Sequence, residues 1–227
     1  LTIIPYGLDT TPVDGWYAWY TDISARRKRE GAIEELHRTV EALMGAATTG
    51  AIADITVDAV RDVLGMPANA IHLYDECEDA LPPVAWTAEV EALVDEVPTF
   101  RSGDGLAWTV FESGEPQTYS DVSTVPGRFE SETNVRSEIL LPLDDFGVLL
   151  IGSGEPDAFD ETDVSLAQTL AAHVTTALER TEREAELTRR RSLLEAVLEA
   201  SIDGILVVDE NREYVTWNQQ FVDMWDV

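Results

Sequence analysis

The sequence predicts an α+β protein: an antiparallel sheet with helices packed on it, joined to its flanks by long helices. Three observations carry this. Helix-period and strand-period segments alternate through the middle of the chain, Gly and Pro mark their ends, and the positive charge is held back for two Pro-free flanks. Ten of the 15 cations lie in residues 26–38 and 180–191, whereas residues 45–178 hold 25 acids and only Arg61, Arg101, Arg128 and Arg136.

In the first flank Ile33, Leu36, Val40, Leu43 and Ala47 recur at spacings of three and four, which suits either a two-stranded coil or a single helix lying on its own domain. Arg26, Arg27, Lys28 and Arg29 stand at the start of that helix, the wrong end for its dipole, so an acidic partner is expected to compensate them. The stretch "AIADITVDAVRDVLG" sets Ile52, Ile55, Ala59, Val60, Val63 and Leu64 on one helical face and stops at Gly65 and Pro67. Strands are expected in "NAIHLYD", "PPVAWT", "QTYSDV", "SEILLPL" and "FGVLLIGS", with Asp144-Asp145-Phe146-Gly147 as the turn between the last two. From Asp160 and Glu161 about 40 residues run without Gly or Pro, longer than ordinary globular helices. Leu166, Leu170, Val174, Ala177 and Leu178 give its first part a buried face, and Leu187, Leu194, Val197 and Leu198 renew one after a polar interval. The helices are expected against one face of the sheet.

A formal charge of -29 argues against nucleic acid or an anionic membrane as a partner, since neutralising phosphates takes clustered Lys and Arg. There is no long apolar run and no basic-then-apolar leader, so the segment reads as cytoplasmic. With 14 Arg, one Lys and 44 acids, the surface suits a high-salt cytoplasm. The start at Leu1 and the stop after "DMWDV" suggest a segment of a longer chain, and the lone Cys77 allows no disulfide framework.

No catalytic site emerges. "RSGDGLAW" and "IGSGEP" lack phosphate-loop spacing and a following Lys, and read as turns. His37, His72 and His173 converge neither with Cys77 nor with one another, so no metal site is expected. The context of His37, "LHRTVEAL", favours a solvated helix histidine over a phosphoacceptor. What is left is a pocket lined by Trp86, Trp108, Phe111 and Tyr119, whose rings could enclose a small ligand or simply pack as core.

Residues 45–180 resemble a GAF domain. The resemblance rests on Gly105-Leu106 with Gly114-Glu115-Pro116 and Asp121, and on the strand from Arg136-Ser137 to Pro142-Leu143 ahead of Gly147-Val148-Leu149. Residues 1–24, closing in Asp22-Ile23-Ser24, resemble the end of a PAS domain; residues 199–227, with Asn218 and Phe221 in an Asn-x-x-Phe arrangement, resemble the start of another. Residues 25–44 and 181–198 are then helical linkers. Cyclic-nucleotide-binding GAF domains usually carry an Asn-Lys pair ahead of a Phe-x-x-x-Asp-Glu run, and bilin-binding ones a Cys beside a His on a helix. Here Phe159 is followed directly by Asp160-Glu161 and Cys77 follows "LYDE", so neither ligand is implied and the cofactor stays unknown.

The resemblance implies the sensory region of a signal-transduction protein, most similar to PAS/GAF sensor histidine kinases. A homodimer through the linker helices, a small molecule in the GAF pocket and two-component signalling are the expected properties. The alternatives are the input region of a bacterio-opsin-activator-type helix-turn-helix regulator and a ligand-free dimerising spacer.

Overall fold

The computed structural model describes residues 37–127 and 133–225. The expected PAS end at 1–24 and the cations at 26–29 lie outside them.

The strands of the GAF-like region are β1 (Ala68–Leu73), β2 (Ala80–Leu81), β3 (Pro83–Trp86), β4 (Phe100–Arg101), β5 (Gln117–Tyr119), β6 (Ser137–Pro142) and β7 (Gly147–Ser153). Five of them form the central sheet in the order β3-β1-β7-β6-β5, every pairing antiparallel, and β2 with β4 makes a short ladder beside it. The two-residue strands were illegible in the sequence because they are too short to show a period. The hairpin between β6 and β7 turns at 143–146, one residue earlier than the expected 144–147, with the Leu143 amide donating to the Gly147 carbonyl oxygen. Gly147 sits at φ +150, where an added Cβ would lie 2.0 Å from the His72 carbonyl oxygen, so no side chain fits between β1 and β7 there.

Side chains alternate across a strand, so each of β1, β6 and β7 presents two different faces. Ile71, Ile139, Leu141, Leu149 and Ile151 face the main core, where they meet α2 (Thr49–Asp62) and the first half of α4 (Glu161–Glu199). Helix α2 opens with the Thr48 hydroxyl accepting from the Ala51 amide and ends before Gly65 at φ +73. Helix α4 opens with a capping box between Asp160 and Asp163. Its buried side chains are Ala167, Leu170, Ala171, Val174, Ala177, Leu178 and Thr181; Leu166 is exposed, one position away from the buried stripe.

Helix α1, described over 37–45, lays Leu43 into this same core. Leu43 thus packs on its own domain, while Ala47, expected on the same seam, is exposed, and Ile33 and Leu36 lie outside the described residues. Arg180 of α4 donates through Nη2 to the Ala46 carbonyl oxygen at 2.5 Å. A cation thus sits at the carbonyl end of α1, where the helix dipole favours it.

The opposite face of the sheet corrects the expectation of helices on one side. Helix α3 (Gly105–Ser113) packs there, setting Ala107, Trp108 and Val110 against Leu140 and Val148. It ends on Gly114 in the left-handed conformation, φ 66 and ψ 13.

After Thr181, α4 runs on with its side chains in solvent, the half-buried Leu198 excepted, and is followed by the hairpin β8 (Leu206–Val208) and β9 (Tyr214–Trp217), then α5 (Gln219–Trp225). Asn218 is fully buried and fastens these pieces together. Its Nδ2 donates to the carbonyl oxygens of Leu198 and Asp203, and its Oδ1 accepts from the amides of Ile205 and Phe221.

Candidate functional site

A hollow of about 120 Å³ opens behind the sheet on the α3 side. It exists because the side chains that should fill it are small. Ala68 and Ala70 of β1, Gly152 of β7 and Ala107 of α3 leave space that Leu140 and Leu150 do not fill. The 3₁₀ turn Val90–Ala92 and the segment after it, with Leu93, Val94 and Val97, form the opposite wall. That wall is pinned by the Leu93 carbonyl oxygen, which accepts from the Asn134 amide at 2.8 Å. Near its rim the Arg136 guanidinium donates twice to the Asp121 carboxylate, at 3.1 and 2.6 Å, and this holds the Asp121 pKa well below the usual carboxylate range.

Two titratable side chains belong to the lining. His72 is buried, its ring 4.9 Å from that of Phe100, and its Nδ1 lies 3.1 Å from the Leu81 carbonyl oxygen. A carbonyl can only accept, so Nδ1 carries the proton. Burial pushes the His72 pKa down to about 4, so at neutral pH the ring is uncharged and Nε2 keeps a free lone pair.

Glu138 is half-buried and stands in register between Gly152 of β7 and Tyr119 of β5. Desolvation pushes its pKa up to about 7, and no cation among the described residues is paired with it. A carboxyl group on a core-facing position, with no partner, is costly to bury. The hollow is therefore an apolar chamber with two acceptors, Glu138 and the Nε2 of His72.

None of the four expected pocket aromatics lines this hollow. Trp108, Phe111 and Tyr119 come together with Tyr74 in the smaller core behind α3. Trp108 meets Phe111 edge-on at 5.6 Å and Tyr74 at 6.2 Å, and Phe111 lies 5.0 Å from Tyr74. Trp86 stands apart on the edge strand β3, 40% exposed, its indole Nε1 donating to Glu91 at 3.2 Å. Large rings fill space, whereas a cavity forms where side chains are small. A usable signal was present in "SEILLP": once Leu140 is placed facing inward, Glu138 two residues earlier must share its face.

Among the remaining candidates, Cys77 is exposed at the turn after β1, with its amide bonded to Asp75 Oδ1. His37 is exposed beside Glu41, 3.4 Å away, and His173 is half-buried on α4. No group of metal-ligating residues occurs among the described residues, and no helix among them is long and apolar enough to cross a membrane.

Comparison with known proteins identifies the fold. Residues 46–179 match the GAF domain and residues 192–227 the PAS domain. No curated protein matches the sequence. Similar solved structures include the GAF domain of a phosphoenolpyruvate-protein phosphotransferase from Coxiella burnetii, 18% identical with TM-score 0.58, covering 68% of this chain and 96% of that one. The free methionine-R-sulfoxide reductase of Neisseria meningitidis, solved with its substrate, is 22% identical with TM-score 0.59 and covers 74% and 97%. Residues 122 to 287 of a methyl-accepting chemotaxis protein are 17% identical with TM-score 0.53, covering 66% and 98%. These likenesses concern the fold, and the family match spans more than half of the sequence: the chain belongs to the GAF domain family, with a PAS match that begins in the last turns of its long helix.

Proposed function

We propose that this chain is a cytoplasmic sensory input segment of a PAS/GAF sensor histidine kinase, in which a small molecule in the hollow alters how α1 and α4 pack. GAF and PAS modules together make it a signalling input region. The observation that carries the finer reading is that the strands lining the hollow are the strands on which α4 rests. Ala70, Glu138 and Leu150 face the hollow, and their neighbours Ile71, Ile139 and Ile151 face the core that holds Leu170, Val174 and Leu178. A ligand that prefers one strand arrangement tenfold shifts that equilibrium by about 1.4 kcal/mol, enough to change the population of helix packings.

The shift has a route outward. Arg180 binds the end of α1 to α4, and past Thr181 the helix carries exposed Leu187, Leu193, Leu194 and Val197, each at least 60% exposed, up to the Asn218 fastening. Leu187 and Leu194 are one heptad apart, as a seam between two copies of this helix requires. The homodimer forms through that seam, and the ion pairs Arg190–Glu186 and Arg191–Glu195 compensate the cations that fall between its two leucines. The Neisseria meningitidis reductase, which shares this fold, holds a small-molecule substrate in its crystal structure, and this supports the ligand reading.

The test is a chimera joining residues 37–198 in continuous helix to a histidine-kinase core, with one to seven residues inserted after Thr188. Autophosphorylation is expected to oscillate with a period of about 3.5 residues. A flat response would remove the relay.

A further inference from the structure

The charges of the hollow restrict what it can hold, an inference that rests on reading the hollow as the ligand site. Most of its wall is apolar: Ala68, Ala70, Leu93, Val135, Leu140 and Leu150. Its two titratable groups offer acceptors and no positive charge. The Glu138 carboxyl group has no hydrogen bond or ion pair among the described residues, and His72 spends its one ring proton on the Leu81 carbonyl oxygen. An anionic ligand would face both acceptors, and a neutral apolar one would leave a desolvated carboxylate unsatisfied. An ammonium group answers both, because its three N–H donors and its charge meet the carboxylate in a low-dielectric chamber.

The charge of the whole chain acts in the same direction. At -29 it repels anions and concentrates cations at its surface. Size sets the other limit. A volume of about 120 Å³ is slightly smaller than a cavity of ~150 Å³ that accepts benzene, so about six heavy atoms fit without rearrangement.

We propose that the hollow takes a small primary ammonium compound with a branched apolar body of about five carbons, the ammonium donating to Glu138 and the body lying over Ala70, Leu140 and Leu150. The small residues at 68, 70 and 152 make room for the body, and Glu138, between Gly152 and Tyr119 in the strand register, selects the charge.

Titration calorimetry on the 227-residue chain at neutral pH tests this with three probes of one shape: isoamylamine, isoamyl alcohol and isovalerate. The amine is expected to bind at least ~10-fold more tightly than the alcohol, and isovalerate least. In Glu138→Gln, amine affinity should fall to that of the alcohol while alcohol affinity holds. Gly152→Val, which fills the floor beside Glu138, should abolish binding of all probes and so locate the site. If the alcohol or isovalerate binds as tightly as the amine, or the amine preference survives in Glu138→Gln, the ammonium assignment is wrong while the hollow stands as the ligand site. If no probe binds, or binding is untouched in Gly152→Val, both the assignment and the site are overturned. The probe series on the unaltered chain decides the charge class independently of how any variant folds.

Discussion

The two faces of the central sheet are built from the same strands and differ in almost every other respect. Towards α2 and α4 the inward positions are Ile71, Ile139, Leu141, Leu149 and Ile151, all at 0–1% exposure, and the space between sheet and helices is filled. Towards α3 the corresponding positions are Ala68, Ala70, His72, Glu138 and Gly152, and a chamber is left open. Since strand residues alternate sides, a substitution one position along moves from a filled core to an open chamber. One face holds the fold together; the other carries groups that the fold alone would not select.

Truncation on the filled face should have the largest effect. Leu149→Ala removes a side chain with no exposed surface in the middle strand β7, and we expect a loss of about 3–4 kcal/mol in urea unfolding. Leu194→Ala, on the bare part of α4, should change monomer stability by less than about 0.5 kcal/mol. Equal costs at concentrations where the chain is monomeric would mean that α4 beyond Thr181 packs on its own domain.

The filled face was legible in the sequence and the open face was not, for a physical reason. Ile52, Leu170, Val174 and Leu178 repeat at helical spacing, and Ile71, Ile139, Leu141, Leu149 and Ile151 sit in strands whose ends are marked by Gly, Pro and Asp. A repeated apolar residue is a positive signal. A chamber is defined by what is missing, and Ala68, Ala70 and Gly152 carry no mark that separates them from small residues in any strand. Aromatic rings are the conspicuous candidates for a pocket lining, yet Trp108, Phe111 and Tyr119 meet as a neighbouring packed core and Trp86 is on the sheet edge. Likewise, that α3 covers the second face could not be read from a helix of nine residues apolar on most sides.

The open face should reveal itself through pH. His72 has its pKa lowered from 6.5 to about 4, so its contribution to stability is complete above 6.5 and is lost as pH falls towards 4. Glu138 has its pKa raised from 4.5 to about 7, so folding is favoured while it is protonated, and that stability is lost as pH rises from 4.5 through 7. The two slopes oppose each other over nearly the same window and largely cancel in the unaltered chain. Relative to it, Glu138→Gln should gain stability as pH rises through that window, by on the order of 2 kcal/mol, and His72→Gln should lose a similar amount. Denaturation curves at a series of pH values check this; parallel curves for all three proteins would show that neither group is desolvated.

A third measurement concerns how the filled face meets the incoming helix. Arg180→Met keeps the aliphatic stem but loses the bonds to the Ala46 carbonyl oxygen and to Glu184. A hydrogen bond made by a charged donor to a backbone carbonyl supports a loss of about 1.5 kcal/mol. The loss should appear first as faster amide exchange over 37–45, because Leu43 would then hold α1 with less help. Unchanged exchange there would detach the Arg180 contact from the coupling of α1 to α4.

A small gain is expected on the open face. Gly152 lies on the floor of the chamber, and a Cβ placed on it would meet only Val135 Cγ1 and Cγ2 at 3.5 and 3.7 Å and Leu93 Cδ1 at 3.9 Å, ordinary contact distances. Its backbone is not in the left-handed region, so a β-branched residue suits the strand. Gly152→Val would therefore bury new apolar surface without strain, remove the glycine's entropy cost and raise stability by about 0.5 kcal/mol. The gain should be larger at pH 5, where Glu138 is protonated, than at pH 8, where the added methyl groups would further desolvate a carboxylate. An enlargement on the filled face, Ile151→Phe one residue earlier, should instead cost about 1–3 kcal/mol, because no space is left there. If both substitutions destabilise alike, the chamber is closed in solution and the two faces differ only in composition.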